Sequence, residues 1–220
     1  MKLIRKGERL HFHESIQKAL ITRSQKASLA RITRQADEVF TLAKKASFTH
    51  LNKNNMEIKT QSHRMHSIIV LYDMHTNFFA KAIDGISDED AHNRLNTKAN
   101  HVAWLAGSLV HERFELANDL GIQQKHAADE LFKNHKGIQD DLKYPPLASF
   151  KQDWEKISPL LREVFLNLTD ERLDKQFEMM PGHSMAFYDL VSFTAYREAN
   201  CIGQIALWRR LLGYPAINYM

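Results

Sequence analysis

The chain has 220 residues, 44% of them hydrophobic and 25% charged, with one cysteine and a formal net charge of +4. That composition excludes collagen-like, wholly disordered and disulfide-stapled classes, and a lone cysteine leaves no Cys-x-x-Cys zinc site. No apolar run approaches the ~18 residues of a membrane span, so no membrane partner is expected, and one thiol suits a reducing cytoplasm.

The charge is unevenly spread. Residues 1–55 hold 12 Lys/Arg against 4 acids, a local +8, whereas residues 56–220 hold 18 against 22, or −4. The chain therefore divides into a basic N-terminal extension, 1–55, and a body, 56–220. Three readings compete for the extension: an arm for anionic lipid or nucleic acid, an Arg-rich targeting segment, or upstream sequence before a true start at Met56. Poor packing is expected of it. The acidic body argues against a phosphate-tracking nucleic-acid binder.

From about residue 63 the hydrophobic period is helical. Met65, Ile68, Ile69, Tyr72, Phe79, Ala82 and Ile83 recur at three- and four-residue spacing, and Gly85 supplies a C-cap. Ser87-Asp88-Glu89-Asp90 predicts a capped short helix near 88–94. A second long helix is predicted over about 97–119, with Val102, Leu105, Leu109 and Leu116 as its apolar stripe and Gly121 just past its end. Residues 121–147 read as an irregular connection that ends at Tyr144-Pro145-Pro146. A third helix over about 149–168 carries Phe150, Trp154, Ile157, Leu161, Val164 and Leu168; Pro159 either kinks it or opens a new segment. Thr169-Asp170-Glu171 starts a short connecting helix, and Pro181-Gly182 breaks the chain. The fourth long helix spans about 184–212, with Phe187, Leu190, Thr194, Arg197, Cys201, Gln204, Trp208 and Leu211 on one stripe, ended by Gly213 and Pro215. Four long amphipathic helices and scarce Gly and Pro predict an all-α fold, a four-helix bundle.

Two stripes carry chemistry. On the fourth helix Arg197, Cys201 and Gln204 form a polar centre on an otherwise apolar face, and a buried polar patch requires partners. On the second helix His101, Trp104, Ser108, His111 and Glu115 share a face. His111 and Glu115, one turn apart, have a spacing that can hold a divalent ion, with His75, His101 or His183 as a third ligand. A solvated or hydrogen-bonded face explains the same spacing. Cys201 beside Arg197 could act as a thiolate nucleophile, or fill space as a small hydrophobe. There is no phosphate loop, no Gly-x-Ser-x-Gly and no His-Glu-x-x-His.

Tyr196-Arg197-Glu198-Ala199-Asn200-Cys201-Ile202-Gly203-Gln204-Ile205, followed by Trp208-Arg209-Arg210-Leu211-Leu212-Gly213, resembles the closing helix of the DinB-like (YfiT-like) superfamily. Asn100-His101-Val102-Ala103-Trp104-Leu105-Ala106-Gly107-Ser108-Leu109 is similar to that family's second helix, and Gly85–Glu89 to the turn after its first. The resemblance covers residues 56–215. It implies an up-down-down-up four-helix bundle, a homodimer, and a three-histidine metal centre serving thiol-dependent transferases or hydrolases. This chain departs at all three implied ligand positions, which read Ser108, Arg197 and Cys201. Serine is a poor ligand and arginine a permanent cation, so no metal and no other cofactor is expected there.

The expected function is accordingly a DinB-like bundle protein without the family metal site, binding a small anionic ligand or acting without catalysis. Its pocket is expected at Ser108, Arg197 and Cys201, with His101, Trp104 and Gln204 as neighbours. Arg197 would hold a carboxylate or phosphate through its planar fork, or instead form an internal salt bridge to Glu112, Glu198 or another acid. The alternative is a metal- or thiol-dependent transferase or hydrolase with a relocated site. A third class is a structural dimer, for which exposed apolar surface on the first and fourth helices would speak.

Overall fold

The structure is a computed structural model that describes residues 58–180 and 182–219. The basic extension 1–55 and the alternative start at Met56 lie outside the described residues. Residues 59–220 form one unit, and helix dominates it. No helix among the described residues is long and apolar enough to cross a membrane.

Helix α1, Met65–Ile83, buries Met65, Ile68, Ile69, Tyr72, His75, Phe79, Ala82 and Ile83, the expected stripe plus one histidine. It stops because Asp84 is extended and Gly85 takes φ +71°, a conformation glycine adopts without a Cβ clash. Ser87 then caps the short helix α2, Asp88–Ala91, by accepting from the Asp90 amide at 3.1 Å.

Helix α3, Val102–Asp119, begins later than its expected start near 97. Leu95 and Asn96 both have positive φ, which breaks helical propagation, and His101 rather than a residue further back is the N-cap. Almost every side of α3 is buried. That is the signature of a central helix.

The connection after α3 contains α4, Asp129–Phe132, and a 3-10 turn, Lys133–His135. Helix α5, Leu147–Leu166, follows Pro145-Pro146 and runs as one continuous helix through Pro159, so the expectation that Pro159 might open a new segment is not met. Helix α6, Asp170–Asp174, is capped by Thr169, whose hydroxyl accepts from the Arg172 amide.

An antiparallel hairpin comes next, and the sequence reading missed it. Strand β1, Gln176–Met180, pairs with β2, His183–Ala186, placing Gln176 opposite Ala186 and Phe177 opposite Met185. The final helix α7, Phe187–Leu211, therefore starts after the hairpin rather than at 184. Gly213 at φ +86° ends it.

Each long helix has two long neighbours. α1 lies against α5 and α7, and α3 lies against the same two. Phe79 stacks on Trp154 with ring centroids 4.2 Å apart in the shared core, beside buried Leu105, Leu109, Phe150 and Ile205. Phe193 of α7 is 48% exposed.

Candidate functional site

The centre of the core is ionic. Arg113 of α3 has no exposed side-chain surface, and Glu198 of α7 is 2% exposed. Arg113 Nε donates to Glu198 Oε1 at 2.5 Å and Nη2 to Oε2 at 2.9 Å, a bidentate pair. Nη1 donates to the hydroxyls of Thr76 and Ser158, and the guanidinium lies over the rings of Trp154 and Tyr72 at 3.4 and 4.0 Å. His75 Nδ1 sits 3.2 Å from Glu198 Oε2. Burial alone would raise the Glu198 carboxyl, but the Arg113 charge and hydrogen bonds outweigh it and hold Glu198 below its ordinary range. Sequence reasoning passed over Arg113 and took Glu198 only as one of several salt-bridge partners for Arg197. The signal was present: Arg113 stands four residues after Leu109 on the apolar stripe of α3.

Beside this network α3, α7, the hairpin and the connection after α3 enclose a cavity of about 580 Å³. Trp104, Ser108, His111, Glu112 and Glu115 of α3 line it, as do Leu190, Phe193, Thr194 and Arg197 of α7. Phe177 of β1 and Phe132 add apolar wall, and His135 and Lys136 add polar groups. Arg197 Nη2 donates to Ser108 Oγ at 2.6 Å, and Nη1 is ion-paired with Glu112 Oε2. Of the two partners foreseen for Arg197, Glu112 makes the bond, while Glu198 turns to Arg113. Burial pushes the Glu112 carboxyl up to about 7, against the pull of the Arg197 guanidinium. The indole Nε1 of Trp104 is buried without a hydrogen-bond partner among the described residues.

The remaining expected residues scatter. Cys201 is buried and free, and it is not among the cavity-lining side chains. Burial raises its thiol, and the nearby Arg197 charge only partly offsets this, so it is a protonated thiol rather than an activated nucleophile. Gln204 is exposed and donates to Asn200 Oδ1. His101 lies at the N-terminus of α3, where its Nδ1 accepts from the Trp104 amide at 3.1 Å. Burial first, then the neighbouring His92 and Arg94, lower His101 to about 4, so it is neutral at physiological pH.

His111 finds partners that were not foreseen. None of His75, His101 and His183 joins it. His75 serves Glu198, His101 caps α3, and His183 is exposed on β2. Instead His126, from the irregular connection, places Nε2 3.0 Å from His111 Nδ1. Asp129 Oδ1, at the start of α4, is 3.6 Å from His111 Nδ1 and 3.8 Å from His126 Nε2. Glu115 Oε1 lies 3.1 Å from the other ring nitrogen of His111, so the expected His111–Glu115 proximity is present. Burial, then the adjacent His111, lower His126 to about 4. The His111 ring beside it lowers the Glu115 carboxyl, against partial burial.

In comparisons with known proteins, no family model and no curated protein matches this chain.

Proposed function

We propose that the body is a DinB-like four-helix bundle, arranged up-down-down-up, that binds a small anionic molecule in the α3–α7 cavity instead of a metal at the family position. The order and spacing of the motifs around Trp104-Leu105-Ala106-Gly107-Ser108 and Glu198–Gln204 support the family reading, as does the pairing of each long helix with two others. The residues at the implied ligand positions do not fit an ion. A guanidinium already spans from position 197 to Ser108 and Glu112, and Cys201 is a buried, protonated thiol. The buried thiol gives the thiol-dependent alternative no support, and a single free cysteine is in keeping with a cytoplasmic setting.

The observation that carries the binding reading is Arg197 itself, placed at the wall of a 580 Å³ cavity with an unpartnered indole N–H across from apolar rings. An incoming carboxylate or phosphate would take the guanidinium fork from Glu112. Glu112, already raised to about 7 by burial, would then take up a proton beside the new anion. Binding is thus coupled to proton uptake: affinity should be flat below pH ~7 and fall up to about tenfold per pH unit above it.

Thermal-shift screening of the full chain with small carboxylates and phosphate esters tests this, repeated at pH 6 to 9 and on Arg197→Gln. Stabilisation of the wild type that weakens with rising pH and vanishes in the variant is expected. If no anion stabilises the wild type, or Arg197→Gln responds equally, the reading fails.

A second reading, self-association, has one observation in its favour. Leu71 and Met74 of α1 and Leu207 and Leu211 of α7 are 40%, 43%, 59% and 56% exposed, the apolar surface on the first and last long helices that a homodimer would cover.

A further inference from the structure

We propose that His111 Nδ1, His126 Nε2 and Asp129 Oδ1 form a binding site for one divalent first-row transition ion, separate from positions 108, 197 and 201. Atoms 3.0, 3.6 and 3.8 Å apart lie on a circle of radius about 2.0 Å, so one point stands at coordination distance from all three, given Zn–N and Zn–O bonds of ~2.0–2.2 Å. Two imidazoles and one carboxylate suit zinc, cobalt, nickel or iron, and not calcium or magnesium, which take oxygen ligands.

The surroundings are buried and largely apolar. Both histidines are buried, at 6% and 4% exposure. Once His111 Nδ1 is given to an ion, its Nε2 carries the proton; Glu115 Oε1 stands 3.1 Å from that nitrogen, which makes no hydrogen bond among the described residues, so the carboxylate–histidine pairing that orients metal-bound imidazoles needs only a small turn of the Glu115 side chain. His126 Nδ1 is buried with no hydrogen-bond partner among the described residues. Lys125 Nζ stands 3.9 Å from Asp129 Oδ2, leaving Oδ1 to the ion. Phe114 and Phe132 pack against the His126 ring and supply an apolar shell. Entry is open, since Asp129 is 23% exposed and His111 lines the cavity.

The site does not depend on the anion reading, and its test uses no organic ligand. The full chain, stripped with a chelator, is titrated with Co²⁺ and followed by its visible ligand-field bands, then back-titrated with Zn²⁺. One equivalent with tetrahedral or five-coordinate bands, displaced by Zn²⁺, is expected. His183→Ala, an exposed histidine on the hairpin, should bind identically. Asp129→Asn and His126→Gln should each weaken Co²⁺ by about 100-fold or more. Asp129 is partly exposed, so its variant should keep the wild-type circular dichroism and carries the test even if His126→Gln fails to fold. Absence of bands in the wild type, or bands and affinity unchanged in Asp129→Asn, overturns the proposal.

Discussion

Removing one charge of the Arg113–Glu198 pair should be the most damaging single change in the body. Glu198→Gln keeps the shape but leaves one acceptor oxygen where the guanidinium now has two, and turns an amide NH₂ towards a cation. Arg113 has no exposed surface from which water could compensate. Breaking a buried pair in this way costs about 3–5 kcal/mol. For a domain of this size each kcal/mol moves the midpoint by ~2–4 °C, so a fall of roughly 6–20 °C is expected. Replacing both members by apolar groups, Arg113→Met with Glu198→Leu, should recover part of the loss, because the desolvation of both charges is then removed while His75 loses its Glu198 partner. The two hydroxyls released by Arg113 are not stranded: Thr76 Oγ1 donates to the Tyr72 carbonyl and Ser158 Oγ to the Trp154 carbonyl. Denaturant unfolding of the wild type, Arg113→Met, Glu198→Leu and the double variant, analysed as a double-mutant cycle, gives the coupling directly, with Glu198→Gln measured alongside. A Glu198→Gln penalty below about 1 kcal/mol, or a double variant as unstable as the two single losses combined, would refute the reasoning.

The same pair predicts acid behaviour. Glu198 titrates below its ordinary 4.5 in the folded state, because Arg113 overcomes the burial that would raise it. A depressed carboxyl contributes stability that is present above the unfolded pKa and is lost as pH falls through the folded one. The wild type should therefore lose stability progressively below about pH 4.5, and Glu198→Gln should show a flatter acid limb.

Two further outcomes follow from packing. A Cβ on Gly107 would stand 2.2 Å from Phe132 Cζ and 2.7 Å from Phe150 Cζ, so Gly107→Ala should cost about 1–2 kcal/mol net of the ~1 kcal/mol gained in helix propensity; a neutral or stabilised variant in a thermal melt would show that Phe132 moves freely. If the α1 and α7 apolar faces join two copies, light scattering on the full chain should give a dimer that Leu207→Glu with Leu211→Glu converts to monomer; a monomeric wild type would end that reading.

Much of the framework was legible because it rests on local chemistry. The α1 stripe, the Ser87 cap and the glycines at 85, 121 and 213 all act through neighbours in sequence, and each ends or begins a helix where its residue type demands. The polar stripe of α3 was legible in part: Trp104, Ser108, His111 and Glu115 line the cavity, while His101, its first member, caps the helix instead. The α7 stripe was placed slightly off. The expected set takes Leu190, Arg197 and Gln204, whereas the buried face takes Val191, Glu198 and Ile205, both sharing Phe187, Thr194, Cys201 and Trp208. A glutamate reads as solvated until its partner is known, and Arg113 lies 85 residues earlier. His126 was hidden likewise, in a connection with no periodicity to place it. The hairpin failed for another reason: its strands of five and four residues are too short for a clear alternation, and Pro181-Gly182 was read as a break in the chain.

The small rotation of α7 decides the chemistry of the site. Adjacent helical residues point about 100° apart, so anchoring Glu198 in the core turns Arg197 towards α3 and the cavity. Cys201, one turn after Arg197 and about 40° round the helix from it, is buried. At position 197 a guanidinium bonded to Ser108 and Glu112 stands where an ion shared with positions 108 and 201 would need a donor atom. The histidine left free to face a new partner is His111, one turn beyond Ser108 on the same face of α3, and the connection following that helix supplies His126 and Asp129 to meet it. One face of α3 therefore places Ser108, bonded to Arg197, and His111, beside His126, on the wall of the same cavity.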